Sequence, residues 1–232
     1  MKPSSWLESV NCAIEGILWS VKSQRHMRYH FVAAVSVLLM ALFFHVSALE
    51  FLLLAFAVIL VIFAELVNTA FEVVVDLVSP DFHLLARRAK DVAAGAVLVT
   101  SVGALIAGYL VLSRYVFPGT GWDFSGLGPP RGELSVVSVL VVTILVVFIK
   151  ACTGRGTPLH GGMPSGHAAV AFSIATSVAL SSVGALTTLL AVVLATMVCH
   201  SRLLLKIHTL REVLVGILLG VVVTLILHLL FA

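Results

Sequence analysis

Residues 51–76 read FLLLAFAVILVIFAELVNTAFEVVVD. The first part, Phe51 to Ile62, has no charged residue. Such a run suits a helix in lipid, where a crossing takes about 20 residues. The second part keeps an apolar background but inserts Glu65, Asn68, Glu72 and Asp76, at spacings of 3, 4 and 4. At about 100° per residue these four fall within roughly 80° of one another on a helix. Carboxylates inside a membrane span are costly and by default mark function. One stretch therefore sets the fold class, an all-α integral membrane protein, and gives the first candidate site.

Outward from it the pattern repeats. Apolar runs recur at Phe31–Leu49, Asp91–Leu112, Leu134–Ile149, Ala168–Leu180, Ala185–Val198 and Val213–Ala232. Only 11% of the 232 residues are charged. A soluble domain carries about 25%, so lipid contact accounts for the deficit. Trp6, Leu7, Val10, Ile14, Ile17, Leu18 and Val21 recur at helical spacing, with Glu8, Asn11 and Glu15 mostly between them. That predicts an amphipathic helix, on the membrane surface or packed on the bundle, rather than a cleavable signal peptide. Cys12, Cys152 and Cys199 show no metal-ligand spacing and read as free thiols. The net charge of +3 gives no reason to expect a nucleic-acid partner.

The one clear composition break is the Gly/Pro-rich stretch 117–133. It divides the chain into 1–116, a surface helix with three spans, and 134–232, with four short spans; the stretch itself reads as an extracytoplasmic linker. All Lys and Arg except Arg114 and Arg131 fall in the N-terminal segment or in the loops after the second, fourth and sixth spans. The positive-inside rule then predicts a multi-pass protein of the cell membrane with its N-terminus and those loops in the cytoplasm.

In the second half polar clusters interrupt the apolar sequence. Lys150 and Arg155 follow one span, Pro164-Ser165-Gly166-His167 opens the next, Ser201 and Arg202 end the third, and His208 and Glu212 open the last. If spans alternate in direction, all four clusters share one membrane face. Three cations suit one phosphate group. Ser165 and Gly166 would sit at a helix start, where free N–H groups favour an anion. Two histidines suit a two-step displacement, with one as nucleophile and one as acid. Glu212, four residues after His208, can orient its ring. His160, His200 and His228 stand outside the pattern and read as loop or packing residues.

These motifs, Lys150-Ala-Cys-Thr-Gly-Arg155, Pro164-Ser-Gly-His167 and Ser201-Arg-(5 residues)-His208-(3 residues)-Glu212, resemble the type 2 phosphatidic acid phosphatase superfamily. The resemblance implies His208 as nucleophile, His167 as general acid and Glu212 as orienter. Lys150, Arg155, Ser165, Gly166, Ser201 and Arg202 would bind phosphate without a metal. The substrate would be a lipid phosphate or diphosphate. The sequence departs from that family in a compressed first motif with Gly156 after Arg155, in Glu212 where the family has Asp, and in four spans rather than six.

The run Glu65 to Asp76, with Ala89-Lys90-Asp91, resembles the small prokaryotic diacylglycerol or undecaprenol kinases over residues 1–116. The resemblance implies a homotrimer with composite sites, Glu65 as catalytic base and Glu72 as ligand of Mg²⁺ in the Mg·ATP complex. Asn68, Asp76, Lys90 and Asp91 would organise nucleotide and lipid. Gln24 stands where the family has a second metal-binding Glu. Two alternatives accompany this reading. The kinase-like half is an inactive oligomerisation scaffold, or, in a different class, the buried charges line the path of a transporter or channel.

Overall fold

A computed structural model of the chain describes residues 5–116, 131–153, 161–181 and 183–231, without the side chains of 131–133. Among the described residues all regular structure is α-helical, in eight helices: α1 Trp6–Ser23, α2 Arg25–Phe43, α3 Ala48–Val78, α4 Leu84–Val116, α5 Arg131–Thr153, α6 Gly166–Leu180, α7 Ala185–Leu204 and α8 Leu210–Phe231. Six of them are long and apolar enough to cross a membrane, and α6 is a shorter apolar helix. The chain is a multi-pass membrane protein. It forms two compact units, Met1–Gly121 and Trp122–Ala232. Most of the expected linker lies outside the described residues, but its last three residues already belong to α5.

In the first unit α1 begins at Ser5, whose side chain accepts the Glu8 N–H. Its apolar residues are exposed, including Trp6, Leu7, Ile14 and Leu18, while Ser20 is buried. The backbone turns extended at Gln24 before α2 starts. The expected run Phe31–Leu49 is not one helix. It breaks after Phe43 through a turn with His45 at φ 53°, and α3 restarts on a capping box of Ser47 and Glu50. Apolar side chains flank that turn on both sides, so hydropathy alone runs through it. Helix α3 then continues for 31 residues, carrying the polar stripe on the same rod as the apolar run. That is about 46 Å of helix against a hydrocarbon core of about 30 Å. Helix α4 starts at Leu84, ahead of the expected Asp91. Ala41, Leu54, Val111 and Leu112 form the core at the other end of the α3–α4 pair. There Glu50 accepts hydrogen bonds from Arg114 and from the Tyr115 hydroxyl.

In the second unit α6 packs against α5, α7 and α8. Ala169 meets Val142 and Val146 of α5, and Ala168 meets Cys199 of α7 and Val213 of α8. These small side chains let the neighbours approach closely, as membrane helices require when no water drives them together.

Candidate functional sites

The first unit builds its site on α3. Glu65, Asn68 and Thr69 are buried. Thr69 donates its hydroxyl to the Glu65 carbonyl at 2.8 Å and receives the Ser20 hydroxyl at 3.3 Å, which fixes the end of α1 on the stripe. One turn on, Glu72 accepts two amide N–H groups, Gln24 Nε2 on Oε2 at 3.0 Å and Asn68 Nδ2 on Oε1 at 3.1 Å. The Oδ1 of Asn68 is buried and has no hydrogen-bond partner. Among the described residues no hydrogen bond or ion pair is formed by the Glu65 carboxylate, and the residue is buried. Lys90 on α4 reaches Asp76 at 2.5 Å, whereas Asp91 is exposed and lies 3.9 Å from Arg87. The stripe is thus a buried pair, Glu65 and Asn68, grading outward through Glu72 to an exposed ion pair at Asp76. Among the described residues no group of three His, Cys, Asp or Glu forms a metal cluster.

The second unit gathers its residues from four helices. His208 is buried just before α8, and its Nδ1 lies 2.9 Å from Glu212 Oε2. The same oxygen accepts the Thr209 N–H at 3.0 Å, and the Glu212 N–H reaches Thr209 Oγ1 at 3.4 Å. Thr209-Leu-Arg-Glu212 is therefore a capping box at the start of α8. With Nδ1 engaged, the Nε2 of His208 is the ring nitrogen left for chemistry. The loop before it folds back so that the N–H groups of Ile207 and His208 both point to the Arg202 carbonyl. Ser165, fully buried, donates its N–H to the Glu212 carbonyl at 2.9 Å, bringing the start of α6 to the same place.

Two buried polar groups there have no partner among the described residues, Ser165 Oγ and Arg202 Nε. Arg202 Nη2 holds Ser201 Oγ at 3.3 Å, and Lys150 Nζ donates to the Gly161 carbonyl at 3.1 Å. His167 sits in the first turn of α6, ahead of the apolar run. Burial, followed by the positive charges of Arg202, His208 and Lys150, holds its imidazole below the ordinary histidine value. Cations, unpartnered donors and a helix start gathered around His208 and Glu212 are the ingredients of an anion site. Arg155 and His160 lie outside the described residues. His200 is exposed, and His228 Nδ1 lies 2.9 Å from the Thr224 carbonyl.

Sequence reasoning passed over Thr209 and the pair Gly216 and Gly220. Both had a signal. Thr-x-x-Glu before an apolar run marks a helix N-terminus, and two glycines four apart in a membrane span mark close helix packing.

The profile described as "Prokaryotic diacylglycerol kinase" matches residues 11–112. A "Diacylglycerol kinase" of Synechocystis sp. is 41% identical over 107 residues, which cover 46% of this chain and 61% of that protein. An "Undecaprenol kinase" of Bacillus subtilis is 36% identical over 96 residues, covering 41% of this chain and 78% of the relative. A "Diacylglycerol kinase" of Escherichia coli is 36% identical over 81 residues, covering 35% and 66%. The chain thus spans less than two thirds of the Synechocystis and E. coli proteins. No solved structure matches the chain. The profile ends at residue 112, so residues 134–232 stand outside the matched region.

Proposed function

This chain belongs, through its first half, to the prokaryotic diacylglycerol kinase family, and from that premise we propose a two-part lipid enzyme: residues 1–116 phosphorylate a membrane lipid alcohol from ATP, and residues 134–232 remove phosphate from a lipid phosphate without a metal. The basic residues flanking the spans favour the cytoplasmic face for both sites. The working unit of the first half is a homotrimer on this reading.

For the kinase half, Mg²⁺ needs oxygen ligands, typically one or two carboxylates completed by substrate phosphates and water. Glu72 supplies the carboxylate. Asn68 Oδ1, buried and unpartnered, supplies a second oxygen beside it. Gln24, already on Glu72, is near enough to add an amide oxygen by turning its amide. These residues fit the ion. Bound there, Mg²⁺ would neutralise the phosphate charge of ATP. Glu65 is placed to take the proton of the lipid hydroxyl, since its carboxylate is buried and spends no hydrogen bond elsewhere. Lys90 and Asp76 form the outer edge facing the nucleotide.

For the phosphatase half, the observation that carries the reading is the His208–Glu212 pair set beside the unpartnered Ser165 Oγ and Arg202 Nε. Lys150, Arg202 and the N–H groups at the start of α6 hold the phosphate. Nε2 of His208 attacks phosphorus, forming a P–N bond while the bond to the lipid oxygen breaks. His167 gives that oxygen its proton. Water then attacks the phosphohistidine, loses a proton to His167 and releases inorganic phosphate, which returns both histidines to their starting state. Glu212 fixes the ring so that Nε2 points at the substrate.

A second reading of the first half, an inactive scaffold, draws on Gln24. Its neutral amide meets the electrostatic needs of Glu72 without a cation. One experiment separates these readings. Purified full-length protein is given a panel of lipid phosphates and diphosphates, and separately diacylglycerol and undecaprenol with Mg·ATP, beside His208→Ala and Glu72→Gln. Phosphate release lost only in His208→Ala, with lipid phosphorylation lost only in Glu72→Gln, is the expected result. No lipid phosphorylation by the parent would leave the scaffold. No phosphate release by the parent would end the phosphatase reading.

A further inference from the structure

The face of α8 that meets α6 repeats every four residues: Glu212, Gly216, Gly220, Thr224. Its partners on α6 repeat in step. The Ser165 N–H donates to the Glu212 carbonyl at 2.9 Å. A Cβ placed on Gly216 would collide with the Ser165 carbonyl oxygen and stand 3.2 Å from Ala168 Cβ. A Cβ on Gly220 would collide with the Ala169 carbonyl oxygen and stand 3.1 Å from the Ser173 nitrogen. Ser173 Oγ meets Thr224 Oγ1 at 2.8 Å, fully buried. The two helices run parallel and in register, bonded at both ends of the seam and in backbone contact between.

Glycine inside a helix is less stable than alanine, so two on one face need a reason. Here the reason is distance. The end of the seam carries the chemistry. Ser165, Gly166 and His167 start α6, and His208 and Glu212 flank the start of α8. Whatever sets the gap between the helices at Gly216 sets the gap between the phosphate-binding N–H groups and the nucleophile. Gly220 makes a slightly closer contact, but one turn deeper, away from the site.

We propose that Gly216 is a positioning residue of the phosphatase site, holding the start of α6 against the His208–Glu212 pair by letting the Ser165 carbonyl lie on the α8 backbone. Gly216 touches no substrate and acts through Ser165 and His167. This assignment rests on the phosphatase reading of the second half.

A methyl group at position 216 pushes the start of α6 outward by a fraction of the contact it replaces. Misplacing catalytic groups by about 1 Å costs on the order of 10²-fold in rate. A residue that served packing alone would cost stability equally at 216 and 220 and leave the surviving sites intact.

The test uses the full-length protein in detergent as parent, Gly216→Ala and Gly220→Ala. Three readings of the site are taken: kcat and KM for phosphate release from a lipid phosphate, inhibition by orthovanadate, and hydrogen exchange over residues 161–168; the unfolding temperature is measured beside them. The expected result for Gly216→Ala is faster exchange at the Ser165 amide, weaker orthovanadate inhibition and kcat/KM lowered by about 10²-fold. Gly220→Ala is expected to lower the unfolding temperature while changing kcat/KM and orthovanadate inhibition by less than about fivefold. If Gly216→Ala is recovered unfolded, it is paired with Ala168→Gly, which removes the secondary contact and leaves the Ser165 carbonyl as the clash. An active parent with Gly216→Ala equally active and equally protected at Ser165 overturns the assignment, as does Gly220→Ala matching Gly216→Ala in all three readings. A parent that releases no phosphate, or whose phosphate release survives His208→Ala, overturns the phosphatase reading, and this assignment with it.

Discussion

One oxygen of Glu212 serves two partners: Oε2 lies 2.9 Å from His208 Nδ1 and accepts the Thr209 N–H at 3.0 Å. The carboxylate caps α8 and orients the histidine with the same atom. That arrangement depends on the reach of glutamate, because the third helical position is where a Glu side chain returns to the cap. Glu212→Gln keeps the reach but loses the charge that stabilises a cationic ring, and is expected to lower kcat for phosphate release by about 10²- to 10⁴-fold. Glu212→Asp keeps the charge but falls one methylene short of both partners. It is expected to lower kcat by about tenfold, a smaller loss of oriented imidazole. Rates of phosphate release at saturating substrate decide it, and an aspartate variant as fast as the parent would refute the shared-oxygen account.

The two halves differ in what a chelator should do. On the proposed reading the second unit would offer Lys150, Arg202 and helix N–H groups to the phosphate, so the charge would be met by the protein alone. The stripe on α3 offers oxygens, which attract cations. Excess EDTA is expected to leave phosphate release within about twofold of its starting rate, as metal-free electrostatic stabilisation requires. The same addition is expected to abolish ATP-dependent lipid phosphorylation. Both readings come from one preparation, with Mg²⁺ added back to restore the second.

His167 gives the pH dependence its sign. Burial, then Arg202, His208 and Lys150, lower its pKa from the ordinary histidine value. The proton it must donate is present below that pKa and is lost as pH rises through it. In kcat/KM, which reports free enzyme, the basic limb is therefore expected at lower pH than an ordinary histidine would give. His167→Asn is expected to flatten that limb while lowering the rate. A parent whose kcat/KM still rises between pH 7 and 8 would remove His167 from the acid's role.

Much of this was legible because helices impose a period. Glu65, Asn68, Glu72 and Asp76 share a face of α3 for the same reason their spacing said they would. Alternating spans likewise let four separate motifs of the second half be read as one cluster. The boundaries were less legible. Hydropathy ran from Phe31 to Leu49 across a real turn, since a capping box built from Ser47 and Glu50 barely alters the mean apolar character. Arg114 read as a lone basic residue on the far side, but it sits on Glu50, a partner 64 positions away that no local pattern links to it. Asp91 sits beside Lys90 in sequence, yet their side chains leave α4 about 100° apart. Lys90 faces Asp76 and Asp91 faces Arg87. The glycine seam of α8 was readable as a spacing, but its register against Ser165 and Ala169 is a tertiary fact.

The last prediction concerns Glu72. Its two oxygens each accept an amide N–H, from Gln24 and from Asn68, and the amide oxygen of Asn68 is buried with no partner among the described residues. A buried acceptor left alone costs about 1–3 kcal/mol, which a bound cation would offset. The arrangement is strained toward a positive ligand but provides one carboxylate for it. Glu72→Gln removes the charge and keeps the shape, so it is expected to lower lipid phosphorylation by at least about 10²-fold, the scale of losing an electrostatic anchor for phosphate. Gln24→Glu adds a second carboxylate at hydrogen-bond distance from the first. Without a cation the two repel, so this variant is expected to lower the unfolding temperature in EDTA. With Mg²⁺ present the repulsion becomes a pair of ligands. The unfolding temperature is then expected to recover, and the Mg²⁺ concentration giving half-maximal phosphorylation to fall by about tenfold. Thermal unfolding across a Mg²⁺ titration reads this even if the parent's turnover is slow. If Gln24→Glu gains no Mg²⁺-dependent stability over the parent, Glu72 is not a metal ligand and its two amide bonds are its whole role.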